Sequence, residues 1–206
     1  MRKSFLIIAT AISLVVSSNI AFADAAKPGQ SMTHMKTLSG ISSTLEGQGI
    51  LLYVQGGATA AVIGESIGST DGQVVFHIPI TGTKKGVEHT GSNIVLFNTS
   101  NNKLVQLKNP LIDLAKGTIS AVITQGTGEA TTVLQITNAA DLKASVTNDR
   151  KALLKTKAYK GVALSLAPGI GAALSSLLGL PAGSIPENLA FATADVSLYS
   201  KLKSKK

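Results

Sequence analysis

The chain has 206 residues, a formal charge of +8, 44% hydrophobic residues, no Cys and no Trp. That is one domain's worth of chain, too apolar for a disordered tail. The missing Cys excludes disulfides, a thiolate nucleophile, Cys-ligated zinc or iron–sulfur sites and a lipidated N-terminal Cys.

In chain order, Arg2 and Lys3 precede an apolar run from Phe5 to Val16 and a small-residue site, Ala21-Phe22-Ala23, before Asp24. This is the pattern of a secretory signal peptide over residues 1–23. The apolar run is shorter than the roughly 20 residues of a membrane span. The protein is therefore expected to be exported, periplasmic or extracellular, and not a lipoprotein. Residues 24–48 hold Pro28, Gly29 and Ser31 among polar neighbours and predict a flexible leader. Within it, Met32-Thr33-His34-Met35 sets two thioethers beside an imidazole, the soft ligand set that suits Cu(I). No second Met or His cluster completes that set, so an incidental grouping in a loose leader is the better reading.

Residues 49–200 read as a single β-rich domain, with 201–206 as a basic tail. Short runs of β-branched and apolar residues, bounded by Gly, Asn, Asp and Thr, predict strands at Ile50–Gln55, Thr59–Ile63, Gln73–Ile80, Ile94–Asn98, Leu104–Lys108, Thr118–Thr124, Thr131–Thr137, Val162–Leu166 and Leu189–Tyr199. His77 falls in one of them and reads as an ordinary strand residue. Turn signals at Asp71-Gly72, Asn101-Asn102 and Lys116-Gly117 argue for a mainly β fold, an antiparallel sandwich or barrel-like sheet. Two short helical insertions are expected. One runs from Ala139 to Lys160 behind Asn138 as N-cap, with Leu142, Val146, Leu153 and Leu154 as a partial apolar stripe. The other runs from Pro168 to Leu178 and stops at Gly179, with Pro181 beyond. An outer-membrane barrel is excluded by short strands, scarce aromatics and a Lys-Ser-Lys-Lys end.

Without Arg2 and Lys3 the remaining chain carries +6, unevenly spread. Lys143, Arg150, Lys151, Lys155, Lys157 and Lys160 form one cluster, and Lys201, Lys203, Lys205 and Lys206 another. Outside them stand 7 basic against 10 acidic residues, so the body is mildly acidic. Such patches suit an anionic membrane or polyanion surface, or simply keep the chain soluble. Nucleic acid is not expected, because export removes it and only Tyr159 and Tyr199 stand near the clusters for stacking.

The catalytic motifs are weak. Gly64-Glu65-Ser66-Ile67-Gly68 fits the G-x-S-x-G elbow, but a Gly-Ser-Thr-Asp-Gly turn follows Ser66 and no His occurs after His89 to complete a triad. Gly126-Thr127-Gly128 and Gly169-Ile170-Gly171 lack the third glycine and the βαβ frame of a phosphate-binding turn. Glu46, Glu65, Asp71, Glu88 and Asp113 are too scattered to assign an acid–base pair. The stretch from Gly161 to Ile185 has no charged residue, and its Gly169–Leu174 segment resembles the lytic venom peptide melittin. Pro168, Pro181 and five glycines break it as a continuous span.

Several segments taken together resemble a known family. His89-Thr90-Gly91 precedes a strand, followed by Asn102–Asp113, Gly117–Val122, Gly161–Leu166, a small-residue helix with Leu174, Leu177 and Leu178, and Ala192–Val196. This order is similar to the secreted bacterial haem-uptake domain HtaA and its relatives with a His-Thr-Gly-Gly-Leu signature. The resemblance implies an exported, β-rich, non-enzymatic protein that binds haem. It also implies Tyr53, in Tyr53-Val54-Gln55-Gly56, as iron ligand and His89 as the imidazole that steadies the phenolate. Two departures stand out: Gly49-Ile50-Leu51-Leu52 precedes Tyr53 without the Phe and Arg of the pattern, and Ser92 follows Gly91. The expected function is a non-enzymatic binding or envelope-interaction protein with haem as ligand. The alternative is a membrane-active or surface-adhesive protein that meets anionic lipid through residues 161–185 and the Lys clusters. A hydrolase using Ser66 comes last.

Overall fold

Alternating apolar and polar residues, cut at glycine and asparagine turns, pair as antiparallel ladders through most of the chain. The structure is a computed structural model that describes residues 30–63 and 73–202. The signal-peptide segment, the Ser66 motif and Lys203, Lys205 and Lys206 lie outside the described residues. In order, the elements are β1 (Met32–Thr37), α1 (Ile41–Gly47), β2 (Ile50–Gly56), β3 (Thr59–Ile63), β4 (Gln73–Pro79), β5 (Val87–Glu88), β6 (Ser92–Asn98), β7 (Lys103–Asp113), β8 (Thr118–Ile123), β9 (Ala130–Ile136), β10 (Ser145–Asp149), β11 (Leu154–Leu166), α2 (Ile170–Leu178) and β12 (Ala190–Lys201).

The strands form one sheet in the order β2-β6-β7-β8-β9-β11-β12-β1-β4-β3, with β5 added to β7 and β10 to β11. The two ends of this path, β2 and β3, are joined by the short turn at Gly57-Ala58 without a ladder between them, so the sheet is barrel-like and nearly closed. Inward residues such as Phe76, Ile94, Val105, Val133, Leu164 and Val196 are buried together, and full burial of such a side chain contributes roughly 1.5–3 kcal/mol. The mainly β class and the antiparallel barrel-like sheet expected from sequence are what the structure shows.

Helix α2 packs Ile170, Leu174 and Leu178 into the core. Its first turn is capped by Glu187, whose carboxylate accepts the N–H groups of Gly169 and Ala172, both at 2.7 Å. Gly171 is required by close approach, because a Cβ there would lie 2.7 Å from the Ile185 carbonyl oxygen. The Gly169 and Gly171 pair therefore serves a helix start and a tight contact, and a carboxylate already occupies the place a phosphate would take.

Three expectations need correction. The flexible leader expected at 24–48 does not hold over residues 32–47, because Met32–Thr37 is a central strand between β12 and β4, and α1 follows it. Its alternation was hidden because the inward positions include Thr33 and Thr37, polar residues whose hydroxyls are satisfied inside. The long helix at 139–160 is absent: a single 3₁₀ turn at Ala139–Asp141 leads into the β10–β11 hairpin. Leu142 and Val146 fit a helical spacing by coincidence, whereas Lys155-Thr156-Lys157-Ala158-Tyr159 alternates as a strand does. Finally, the uncharged stretch 161–185 is interior: Val162, Leu164, Leu166, Ile170, Leu174, Leu178 and Ile185 all belong to the core. Its apolarity is that of a packed strand and helix, not of a face turned to lipid.

Candidate functional site

Strand alternation places Tyr53 and His89 on opposite sides of the barrel wall. In β2, Ile50, Leu52 and Val54 pack on the core, which sends Leu51, Tyr53 and Gln55 outward. Tyr53 pairs in register with Val95 and lines a groove of about 210 Å³ with Ser42, Glu46, Leu51 and Val74, at the seam where the sheet fails to close. His89 points inward and is 1% exposed. It borders a different cavity, of only about 20 Å³, among Thr33, Ile78, Ile94, Ile112 and Leu134.

The strand β7 explains how His89 is held. Asn109 adopts a left-handed φ of +51°, and the register with β8 shifts between Lys108 and Leu111. This is a bulge at Asn109-Pro110, the kind of position where a strand tolerates a proline that has no N–H to give. The freed Pro110 carbonyl accepts both the His89 backbone N–H at 3.0 Å and the ring Nδ1–H at 2.9 Å. A carbonyl can only accept, so the proton sits on Nδ1, and Nε2 receives the Thr33 hydroxyl at 2.8 Å. Burial pushes the His89 pKa below the ordinary histidine value, partly offset by the Pro110 carbonyl. Both ring nitrogens are therefore engaged in a neutral, internally bonded imidazole.

The Tyr53 and His89 segments do meet, but through glycine backbone. Gly56 has φ +75°, and a Cβ on it would lie 1.9 Å from the Gly91 carbonyl oxygen, which also accepts the Gly57 N–H at 3.0 Å. The turn of Tyr53-Val54-Gln55-Gly56 thus closes on His89-Thr90-Gly91 while the two side chains diverge. A joint haem site of Tyr53 ligand and His89 support is not assembled: the rings line separate spaces, and the interior space is far below the size of a porphyrin.

The structure brings together what the sequence left apart on the basic side. β10 pairs with β11, and the first half of β11 pairs with the end of β12, with Lys155 opposite Ser200 and Leu154 opposite Lys201. The cluster at 143–160 and the start of the C-terminal cluster thus share one three-stranded extension of the barrel wall. All five residues of β10 are exposed. Asp149, the acid in this cluster, accepts the N–H groups of Lys151 and Ala152 at 2.9 Å and shapes the hairpin tip. Among the described residues the ion pair Lys116–Asp113 is the one formed, so none of the extension's cations is paired. Lys157 instead lies 5.2 Å from the Tyr159 ring centroid.

At the tip, Leu153 is 56% exposed and adopts φ +52°, while Val146 is 52% exposed on β10. A branched side chain in the left-handed region costs on the order of 1–2 kcal/mol. Sequence reasoning found the cations but placed them on a helix. Their union depended on β11 extending past the barrel, which no local signal reports.

A second outer-face feature also escaped the sequence reading. His34 on β1 stands directly opposite His77 on β4, and their Nδ1 atoms are 2.7 Å apart. Of the two neighbouring thioethers, Met35 turns into the core, while Met32 lies on the His34 side of β1.

Comparison of the chain with protein families, with curated proteins and with solved structures gives no match.

Proposed function

We propose that this is an exported, non-enzymatic protein that binds an anionic lipid surface through the β10–β11–β12 extension. The observation that carries the reading is the pairing of β11 with β12, which brings Lys201 into one exposed ribbon with Lys155 and Lys157, cations on both of its faces and, among the described residues, without acidic partners. Each Lys or Arg near an anionic leaflet adds about 1 kcal/mol of attraction, so Lys143, Arg150, Lys151, Lys155, Lys157, Lys160 and Lys201 together supply a strong and salt-sensitive pull. The exposed Leu153 gives that patch an apolar point of entry, and full transfer of a leucine side chain from water contributes roughly 1.5–3 kcal/mol. An exposed leucine held in a costly backbone conformation among cations is more readily explained by a contact made there than by stability.

In this reading the barrel body is a scaffold, and the apolar side chains of residues 161–185 pack its core rather than touching lipid. Co-sedimentation with phosphatidylcholine vesicles, with and without phosphatidylglycerol, tests it. Binding is expected only with the anionic lipid, reduced at high salt and lost in the combined Lys155→Glu, Lys157→Glu, Lys201→Glu variant. Equal binding to both vesicles, or full retention by that variant, overturns the proposal. Capture by a soluble polyanion without vesicle binding also overturns it.

A further inference from the structure

We propose that His34 and His77 form a two-imidazole site for a borderline divalent transition metal of the Zn²⁺ or Cu²⁺ class on the outer face of the sheet. Their positions are 43 residues apart in sequence, and only the β1–β4 ladder sets them opposite each other. Alternation puts both on the outside: Thr33 and Met35 turn inward from β1, and Phe76 and Ile78 turn inward from β4.

The rings meet nearly perpendicular, at 86°, with centroids 4.7 Å apart and the two Nδ1 atoms converging at 2.7 Å. At that distance one neutral imidazole donates its Nδ1–H to the lone pair of the other, so one proton occupies the point on which both nitrogens aim. A metal ion takes the same place when the donating ring carries its proton on Nε2 instead, which leaves both Nδ1 lone pairs free. Tetrahedral zinc with nitrogens at about 2.05 Å needs them about 3.3 Å apart, so the rings must part by roughly 0.6 Å. Small side-chain rotations on a half-exposed sheet face provide this without moving backbone. Imidazole nitrogens select zinc, copper or nickel over the hard cations.

The flanking register sets one acidic and one basic residue on this face. Asp195 on β12 is the residue opposite His34, and Thr59 on β3 is the residue opposite His77, so the row across four strands is Thr59, His77, His34, Asp195. Asp195 uses Oδ1 to accept the Gly161 N–H at 2.8 Å on β11, the strand on its far side from His34, so its carboxylate is engaged away from the pair. Lys36, exposed and next but one to His34, is the opposing charge on this face. No group of three or more His, Asp or Glu ligands occurs among the described residues, so water completes the coordination, giving an open site of moderate affinity.

The chain has only three histidines, which makes the wild-type protein, without an affinity tag, its own best test. Histidine ring resonances followed during Zn²⁺ titration should show saturable shifts for His34 and His77 at one ion per chain, with His89 unchanged. His34→Gln and His77→Gln should each weaken Zn²⁺ binding at least about tenfold, the lower end of what losing even an outer-shell partner costs. The absence of saturable shifts in the folded wild-type protein overturns the proposal. So does undiminished one-to-one binding in the doubly substituted chain.

Discussion

The barrel body and the β10–β11–β12 extension use the same antiparallel pairing to opposite ends. In the body, strands such as β4, β6, β8 and β9 have one face on the core, and a polar group turned inward is bonded there, as His89 is to Thr33 and Pro110. In the extension β10 has no buried residue, and its neighbours carry cations without acidic partners. A ladder alone therefore does not decide the role of a strand. What lies behind it does: the body's strands are held by burial, and the extension's by backbone bonds and its continuity with β11 and β12.

The largest effect that would separate the two regions is a cavity in the body. Phe76 is fully buried, and Phe76→Ala should cost about 3–5 kcal/mol in urea denaturation. A loss below 1 kcal/mol would mean that the barrel interior is not packed as described.

Next comes the internal imidazole. His89→Ala strands the Thr33 hydroxyl and removes a partner of the Pro110 carbonyl, so a loss of about 2–3 kcal/mol is expected. Haem titration of the same protein adds a sharper contrast. If His89 is structural, Tyr53→Phe leaves stability and the haem spectrum unaltered, whereas a Soret change abolished by Tyr53→Phe would restore the haem reading.

Acid gives a smaller, graded effect whose sign follows from burial. The folded His89 pKa lies below the ordinary value of 6.5, so in the window between them the unfolded chain binds more protons. Stability is full above pH 6.5 and falls as pH drops toward the lower folded value, with a slope of at most about 1.4 kcal/mol per unit for one proton. His77 shifts the same way, by burial first and then by His34. Urea midpoints measured between pH 5 and 7.5 check this, and stability that rises on acidification would refute it. His89→Gln should flatten the curve.

The smallest expected change lies at the tip of the extension. Leu153→Gly removes the left-handed strain and should raise stability by about 1 kcal/mol or less while weakening binding to phosphatidylglycerol vesicles. A variant that loses stability and keeps vesicle binding would break the contrast drawn between body and extension.

Much of the β body was legible because burial on one face writes a two-residue alternation into the chain. Gln73–Pro79 and Thr118–Ile123 show it cleanly, with buried and half-buried residues in strict turn. β1 was not legible, since Met-Thr-His-Met-Lys-Thr spends two inward positions on threonine. β10 and the first half of β11 were misread for the opposite reason: with solvent on both sides, the polar alternation carries no apolar contrast, and Leu142 and Val146 were free to mimic a helical stripe. Of the candidate site residues, His89 stands out in the sequence as a partner for Tyr53, whereas its inward bonding to Thr33 and Pro110 depends on a bulge at Asn109-Pro110 that lies 20 residues on.

By itself the sequence determined the composition of this protein: a single β-rich domain without thiol chemistry, with an acidic body and two basic clusters. Only the tertiary structure decided which of its residues meet. Pairing register joins Leu154 to Lys201 and His34 to His77, and it turns Tyr53 away from His89. The physical reason is that hydrophobic alternation is a local property of each strand, whereas register is set by ladders closed across the whole chain. A change of one residue in that register sends a side chain to the other side of the wall.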